Sequence, residues 1–380
     1  MTELLNRALL DLAPQDPRAY VELAKDTEGC ILLTTSEPDF GISDVVKTNT
    51  TRALNMGLTH YMEDGNGETS LRIAATRFEE RSMGLKYEAN EIIMTAGGTE
   101  ALYIALQGIL NPGDEVIIPV PAIDLYETNV KLAGATPVFL DTTGDKFQIT
   151  AEKLAAVITD KTKAIILNSP NNPTGTILTK ESLQVVHDAV AGKPIFVICD
   201  DVYNRVVYDG VCPSFAALHA DLKPQILVVQ SFSNSYAMAG YRLGYLLGDA
   251  PIIEKLSTLH KTAVQSIPNF HQNPAIEALH SDIMGMVWAY DSRRKLVCEK
   301  LDALGLEYVA PEGGFYVFPS VKKFGVDDKE LCTRLIKEAK VAVLPGSCFG
   351  ADGYIRISYS APVGNLKAGL IRLENFLKSL

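Results

Sequence analysis

Residues 226–247 read ILVVQSFSNSYAMAGYRLGYLL, in which two apolar runs, 226–229 and 243–247, flank a polar loop rich in serine. Short continuous runs of Val, Ile and Leu are typical of strands that are buried on both faces of a sheet. Polar residues between two such strands lie at the edge of the sheet, where side chains can face a ligand. The segment therefore predicts two core strands and a loop that carries functional groups.

Five further apolar runs precede this segment, at residues 92–94, 115–118, 137–140, 164–167 and 195–198. Several of them are separated by segments with helical periodicity, which include residues 99–110, 125–133 and 180–191. Alternating strands and helices predict an α/β fold, with a mostly parallel sheet flanked by helices. Ligands of such sheets bind outside the carboxyl ends of the strands.

The regular spacing of strands stops after about Asp249, and a long region with helical periodicity follows at residues 252–304. A second α+β unit is predicted from residue 307 to the end of the sequence. The 380 residues exceed the size of one ordinary hydrophobic core. We therefore predict a large domain at residues 41–285 and a small domain at residues 286–380, which the N-terminal segment 1–40 joins.

Composition excludes several classes of partner. The formal net charge of −11 opposes binding to nucleic acid, and the basic residues are scattered. No apolar run is long enough for a membrane span, and residues 1–14 show no leader pattern, so we expect a cytoplasmic protein with no membrane partner. The six cysteines show no C-x-x-C spacing and no histidine near them in sequence. Reduced thiols are therefore expected, with neither disulfides nor a metal site.

A glycine pair lies at the end of the first predicted strand. The segment Thr95-Ala96-Gly97-Gly98-Thr99-Glu100-Ala101-Leu102 follows that strand and opens a helix. Glycines allow close backbone approach to an anion, and helix amides together with the Thr99 hydroxyl can bind phosphate oxygens. An ordinary structural turn before a helix explains the same residues equally well.

Two polar segments end the next core strands. The first, Asn168-Ser169-Pro170-Asn171-Asn172-Pro173-Thr174-Gly175, contains prolines that order the backbone around Asn172. The second, Asp200-Asp201-Val202-Tyr203, places an acidic side chain beside apolar neighbours, where a cationic partner would stabilise it. An ordinary turn and a helix N-cap are the structural alternatives for the two segments.

Taken in this order, the segments resemble the fold-type I pyridoxal-phosphate enzymes, and specifically the class I and II aminotransferases of the aspartate aminotransferase superfamily. The resemblance covers almost the whole chain. Its outer parts are Ser36-Glu37-Pro38-Asp39-Phe40, Thr59-His60-Tyr61, Leu71-Arg72 and Tyr354-Ile355-Arg356-Ile357-Ser358. It implies transfer of an amino group from an L-amino acid to a 2-oxo acid, with pyridoxal 5'-phosphate as cofactor.

The resemblance also implies roles for individual residues. Asp200 pairs with the pyridinium nitrogen and so keeps the ring an electron sink. Asn172 and Tyr203 donate to the phenolic oxygen of the ring. The residues that match the phosphate site are Gly97, Gly98, Thr99, Ser231, Ser233 and Arg242.

Substrate and subunit roles follow from the same resemblance. Arg356 matches the arginine that binds the substrate α-carboxylate, for which a planar bidentate donor is well suited. The resemblance also assigns Asn172 to the substrate site, together with Ser36, which lies near the substrate carboxylate. Tyr61 matches a tyrosine that reaches the phosphate of the neighbouring subunit, so a homodimer with composite active sites is implied.

Three residues depart from the family pattern. Asn234 lies eight residues before Arg242, at the position of the Schiff-base lysine. An amide nitrogen is neither nucleophilic nor basic, so Asn234 can neither bind the cofactor covalently nor move the substrate proton. Ile123 replaces an aromatic ring that stacks on the cofactor, a loss for which Tyr126 is a candidate compensation. Ser36 replaces a glycine and either narrows the pocket or adds a hydroxyl group.

Three interpretations of Asn234 remain open from the sequence. The chain is an aminotransferase whose lysine was replaced by design, a natural lysine-less enzyme with other cofactor chemistry, or a cofactor- or amino-acid-binding protein without turnover. Rescue by Lys223, Lys255 or Lys261 is not expected, because their positions predict surface charges. Loss of a general base alone slows such reactions about a hundred- to ten-thousand-fold.

Overall fold

The computed structural model describes residues 5–10, 12 and 17–380. Parts of two predictions therefore lie outside the described residues. They are the absence of a leader pattern at residues 1–14 and the N-terminal segment 1–40. Twelve strands are described, namely β1 (Ile31–Leu32), β2 (Ile92–Thr95), β3 (Glu115–Val120), β4 (Thr136–Asp141), β5 (Thr162–Asn168), β6 (Phe196–Asp200), β7 (Ile226–Ser231), β8 (Gly244–Leu247), β9 (Tyr316–Val317), β10 (Val341–Ala342), β11 (Leu344–Pro345) and β12 (Ile355–Ser358).

Fifteen α-helices surround these strands within the described ranges. They are α1 (Arg7–Leu10), α2 (Pro17–Lys25), α3 (Asp44–Asn55), α4 (Thr69–Met83), α5 (Gly97–Ile109), α6 (Asp124–Leu132), α7 (Ala151–Val157), α8 (Lys180–Val190), α9 (Phe215–Leu218), α10 (Phe232–Ser235), α11 (Ala250–Val264), α12 (Gln272–His280), α13 (Met284–Ala303), α14 (Asp328–Arg334) and α15 (Val363–Leu377). None of the described helices is long and apolar enough to cross a membrane.

Seven strands form the central sheet in the order β2-β8-β7-β6-β5-β3-β4. Strand β8 runs antiparallel to both of its neighbours, and the remaining strands are parallel to one another. Each apolar run predicted from the sequence overlaps one of these seven strands. The α/β fold with a mostly parallel sheet is thus confirmed.

Alternating strand residues fill the core on the two faces of this sheet, as the period of two requires. Ile165 and Val197 belong to the buried cluster on one face, whereas Ile166 and Ile198 belong to the cluster on the other. All four side chains are at most 1% exposed. Burial on both faces explains why these strands are continuously apolar.

The helical region expected at residues 252–304 consists of three helices. The first break follows α11 at Gln265, whose φ of 65° lies in the left-handed region, and Pro268 lies just beyond it. The second break separates α12 from α13. The predicted domain boundary at 285/286 falls inside α13, which is continuous, so the three-part division of the chain remains a prediction.

The N-terminal strand lies against the C-terminal part of the chain. Strand β1 pairs in parallel with β10, and the Leu33 amide donates to the Ala342 carbonyl at 2.9 Å. Leu33 also belongs to a buried cluster with Phe315 and Leu373. These contacts bring residues 35–37 to a cavity at the carboxyl ends of β6 and β7.

Candidate active site

A cavity of about 380 Å³ opens at the carboxyl ends of β6 and β7. Asp200 is the last residue of β6 and Ser231 is the last residue of β7, so both are presented at this edge of the sheet. The candidate residues from the sequence that line it are Ser36, Gly98, Thr99, Ile123, Asp200, Tyr203, Ser231, Ser233, Asn234 and Arg242. The sheet topology thus brings together side chains from five separate segments.

One side of the cavity has the properties of an anion site. Gly97 begins α5 with a φ of 80°, and a Cβ built on it would lie 2.7 Å from Arg242 Nη2. Arg242 Nη2 is 3.5 Å from Thr99 Oγ1, and its Nη1 donates to the Ala239 carbonyl at 3.1 Å. These partners are neutral, so the charge of Arg242 is available to an anion beside the amino end of α5.

The serine-rich loop completes this side. Ser231 Oγ accepts from the Ser233 amide at 3.1 Å and donates to Ser233 Oγ at 3.0 Å. These bonds fix the start of the short helix α10, which also carries Asn234. Two hydroxyl groups and one guanidinium therefore face the same volume, a donor set that suits phosphate oxygens.

Asp200 forms the floor of the cavity and is 2% exposed. Burial raises the pKa of its carboxyl to about 6, although a 2.5 Å hydrogen bond from the Tyr126 hydroxyl partly offsets this effect. The Val202 amide is a distant second donor at 3.5 Å. A buried carboxylate with so few donors is stabilised by a cation that enters the cavity.

The segment after β5 is ordered by its own asparagines. Asn168 donates through Nδ2 to the Asp200 carbonyl at 2.9 Å and accepts through Oδ1 from the Asn172 amide at 2.8 Å. Gly175 has a φ of 73°, and a Cβ there would lie 2.4 Å from the Tyr316 carbonyl oxygen. The turn thus fits closely against the C-terminal strands and positions the Asn172 side chain.

Arg356 is 3% exposed and is held by neutral oxygens. Its Nη1 donates to Asn172 Oδ1 at 2.9 Å, and its Nη2 donates to the Thr34 carbonyl at 2.8 Å and to Ser36 Oγ at 3.1 Å. The buried Nε has no hydrogen-bond partner within the described chain. Burial lowers the pKa of this guanidinium. A carboxylate ligand would supply the missing negative charge.

Tyr203 lies between the floor and the C-terminal strands. Its hydroxyl is 3.0 Å from the Tyr316 hydroxyl, and its ring packs edge-on against Phe315. Burial, followed by the neighbouring Tyr316, raises the pKa of Tyr203 well above its ordinary value. The phenol therefore remains protonated and able to donate.

Asn234 is 6% exposed, and no lysine is among the cavity-lining residues in the described part of the chain. Lys223 forms a 2.8 Å salt bridge with Glu91, and Lys255 and Lys261 are exposed on α11. Lys255 and Lys261 agree with the expected role of surface charges, whereas Lys223 is partly buried and pairs with a buried carboxylate. None of these three lysines lines the cavity that Asn234 lines.

Some candidates lie outside the cavity lining. Gly97, Asn172 and Arg356 adjoin it: Gly97 lies against the lining residue Arg242, and Arg356 donates to Asn172 and to the lining residue Ser36. Tyr61 is 83% exposed and is not among the lining residues. Its predicted role concerns a second subunit, which a single chain does not test.

Sequence reasoning missed several residues of the site. Tyr126 was considered only as a stacking replacement for Ile123, whereas its hydroxyl binds Asp200 from a position 74 residues away. The hydrogen bond that Ser36 Oγ accepts from Arg356 was also not indicated by the sequence. Glu37 also lines the cavity, and its place next to Ser36 could have revealed it.

The chain is similar to known proteins in both sequence and structure. The family model for aminotransferase class I and II matches residues 28–372. The chain is 36% identical over 394 residues to an aspartate aminotransferase of Bacillus sp. (strain YM-2), covering 100% of both chains. It is 35% identical over 374 residues to aromatic-amino-acid aminotransferase 2 of Thermococcus litoralis, covering 96% of both. Among solved structures, the aspartate aminotransferase from Thermus thermophilus with maleate superimposes with a TM-score of 0.92 and 32% identity over 98% of this chain and 99% of that chain.

Proposed function

The chain belongs to the class I and II aminotransferases, and we propose that its cavity binds pyridoxal 5'-phosphate together with an L-amino acid. Members of this family transfer an amino group from an amino acid to a 2-oxo acid. When bound, the cofactor supplies an electron-withdrawing ring on which that chemistry depends. The roles below are those of the residues that surround it.

Asp200 is the residue best suited to the ring nitrogen of the cofactor. Its carboxyl is buried, its pKa is raised by burial, and its one close side-chain donor is Tyr126. A protonated ring nitrogen would pair with the carboxylate and favour its ionised form. The buried carboxylate has no cationic partner among the described residues, which supports the assignment of Asp200 to the ring nitrogen.

The phosphate group of the cofactor would bind at the side of the cavity where α5 begins and where Arg242 lies. Gly98, Thr99, Ser231, Ser233 and Arg242 line that side, and Gly97 leaves room for the Arg242 guanidinium. A dianionic phosphate suits a helix amino end together with a guanidinium that has no carboxylate partner. Tyr203 and Asn172 would then donate to the phenolic oxygen, with the Asn172 amide free because its oxygen is bound by Arg356.

Arg356 would bind the α-carboxylate of the amino acid. It has three neutral acceptors, the Asn172 side chain, the Thr34 carbonyl and Ser36 Oγ, and its Nε has no partner among the described residues. Ring contacts on Tyr316 and Phe349 hold the guanidinium plane in place, at 4.5 and 5.1 Å. A planar carboxylate pairs with such a group in a bidentate manner.

The observation that carries the proposal is the position of Asn234 in the lining of the cavity that also contains Asp200 and Arg242. In our assignment it occupies the place of the lysine that binds the cofactor covalently and moves the substrate proton. An asparagine amide can do neither. We therefore propose that the chain retains binding of cofactor and amino acid, while its amino-group transfer is disabled or strongly slowed.

A binding protein without turnover is the second candidate. Asp200, Arg242 and Arg356 favour it, because hydrogen bonds hold all three charged side chains in position without a charged partner in the described part of the chain. Such side chains can bind a charged ligand whether or not a reaction follows. A lysine-less enzyme with other cofactor chemistry would need a different proton carrier. Glu37, which lines the cavity, is the candidate for that role.

Assembly and location extend the proposal. The exposed Tyr61 supports a homodimer in which each subunit completes the phosphate site of the other. A cytoplasmic location remains the prediction from the sequence.

Cofactor titration tests the binding part of the proposal. Fluorescence of the single tryptophan, Trp288, or cofactor absorbance would follow addition of pyridoxal 5'-phosphate to the purified protein. We expect saturable binding with one cofactor per chain, weakened at least about tenfold by Asp200→Ala. Exposed Asp209→Ala is the control variant. Equal affinity in both variants would show that the assignment of Asp200 is wrong.

A further inference from the structure

A second cluster of chemically active side chains lies at the opposite end of the sheet. His187 is near the end of α8, shortly before β6 begins, and His219 and Asp221 precede β7. The cavity lies at the carboxyl ends of the same two strands. The cluster is thus separated from the candidate active site by the length of a strand, at roughly 3.3 Å per residue.

The donor atoms of this cluster converge. One ring nitrogen from each histidine and one carboxylate oxygen of Asp221 all lie within 4.8 Å of one another. His187 Nε2 is 3.0 Å from Asp221 Oδ2, and the two imidazole rings are stacked with centroids 4.4 Å apart. Zinc bonds of about 2.0–2.2 Å to nitrogen and oxygen meet at one ion when the donor atoms are roughly 3 Å apart.

His187 has the orientation of a metal ligand. Its Nδ1 is 3.0 Å from Asp188 Oδ1, and Gln184 Nε2 donates to the same oxygen at 2.7 Å. A metal-ligating histidine typically donates its other ring N–H to a carboxylate in this way. With Nδ1–H donated to Asp188, the unprotonated Nε2 faces Asp221 and offers its lone pair to a cation.

His219 provides an independent observation. The residue is 7% exposed, and its buried Nε2 has no hydrogen-bond partner within the described chain. An unpaired buried nitrogen beside a second histidine and two carboxylates is otherwise unfavourable.

We propose that His187, His219 and Asp221 bind a divalent first-row transition cation such as Zn²⁺, with Asp188 holding the His187 ring. The ligand set of two imidazoles and one carboxylate suits this class of ion. The Asp221 side chain is 64% exposed and free to rotate toward the ion, and water would fill the remaining positions. The bound ion would link α8 to the segment that precedes β7.

The sequence predicted no metal site because 32 residues separate the two histidines. Only the topology of the sheet, which places β6 beside β7, brings them together. The ion would stabilise the fold at this end, without contact with the cavity.

Calorimetric titration of the full chain with zinc chloride, after chelator treatment and dialysis, tests the proposal. We expect one ion per chain with a dissociation constant of about 10 µM or tighter. The melting temperature should rise by about 3–5 °C at an ion concentration one hundred times that constant. Magnesium, which prefers oxygen ligands, should produce no comparable rise.

Matched variants locate the ion. His187→Gln and Asp221→Asn should each weaken zinc binding at least tenfold, and Asp188→Asn should weaken it about ten- to a hundredfold. His280→Gln, at an exposed position at the end of α12, is the control and should bind as the unchanged protein does. Asp221→Asn alters an exposed side chain, so this variant should fold normally. Its zinc affinity can therefore be measured even if a histidine variant folds poorly. Binding weaker than about 100 µM, or unchanged affinity in both His187→Gln and Asp221→Asn, would overturn the proposal.

Discussion

The Tyr126 hydroxyl donates a 2.5 Å hydrogen bond to Asp200 Oδ2, and both side chains are buried. This bond spans 74 residues and joins helix α6 to the end of β6. It leaves the second carboxylate oxygen facing a single distant amide, that of Val202. The pair therefore holds Asp200 in position while it leaves room for a stronger, cationic partner from the cavity.

Replacement of Asp200 by asparagine should stabilise the cofactor-free protein at neutral pH. Burial raises the pKa of Asp200 to about 6, so between about pH 4 and pH 6 the unfolded chain loses its proton first and the free energy of unfolding falls as pH rises. Asp200→Asn removes this penalty and should stabilise the cofactor-free protein at pH 7.5 by about 1–3 kcal/mol, with little gain at pH 4. Urea unfolding at the two pH values measures the difference, with Asp209→Asn as control. A variant that is equally or less stable at pH 7.5 would contradict this account.

Removal of the Tyr126 hydroxyl should change the pH dependence of cofactor binding. In Tyr126→Phe, Asp200 loses the hydrogen bond that lowers the pKa of its carboxyl, so that pKa rises further. The pH below which cofactor affinity is lost should then move upward by about one unit. Titrations with pyridoxal 5'-phosphate between pH 5.5 and 8.5 would detect this shift. Tyr103→Phe, which alters a partly exposed ring on α5, should leave the profile unchanged.

Replacement of Gly97, at the start of α5, by alanine should weaken cofactor binding only through contacts with the phosphate group. A Cβ in Gly97→Ala would lie 2.7 Å from Arg242 Nη2, so the guanidinium must move. We expect affinity for pyridoxal 5'-phosphate to fall at least about tenfold, while affinity for pyridoxal, which lacks the phosphate, changes little. Gly29→Ala is a matched control, since Gly29 also has a positive φ but open space around its Cβ position. Equal losses for both cofactors would show that Arg242 does not face the phosphate.

A lysine in place of Arg356 should weaken amino-acid binding selectively. Arg356→Lys keeps a positive charge but loses the planar pair of donors, which costs about 1.5–3 kcal/mol, or roughly ten- to a hundredfold in affinity. Affinity of the cofactor itself should stay within about twofold. The comparison of an L-amino acid with the corresponding amine, which lacks the carboxylate, identifies the group that Arg356 binds. Equal weakening of both compounds would argue against the assignment.

Much of the fold follows from short-range sequence patterns. Strands β2, β5, β6, β7 and β8 were visible as apolar runs because their residues are almost all buried, whereas the edge strand β4 was visible although Phe139 is 48% exposed. Asp200 was expected at a carboxyl end because it directly follows such a run. The reversed direction of β8 was not predictable from its sequence, since the direction of a strand depends on the path of the loop before it. Here that path runs through α10 and the left-handed residues Ala237 and Arg242.

The contacts of the site mostly join residues that are far apart in the sequence, so the sequence did not predict them. Ser36 and Arg356 are 320 residues apart, and neither local periodicity nor spacing indicates that their side chains meet. Recognition of the family pattern supplied the residues, but not the directions of their hydrogen bonds. Asn234 is the opposite case, because one residue in a familiar segment carries the main functional consequence.

Restoration of the lysine tests the central claim most directly. Production of 2-oxo acid from a panel of L-amino acids would be measured for the unchanged protein and for Asn234→Lys, with pyridoxal 5'-phosphate and an acceptor 2-oxo acid present. Asn234→Met is the control, since it has nearly the length of lysine without the amine. We predict that only Asn234→Lys gains activity, by about a hundredfold or more. Activity of the unchanged protein equal to that of Asn234→Lys, or no activity in a lysine variant that binds cofactor, would contradict the account.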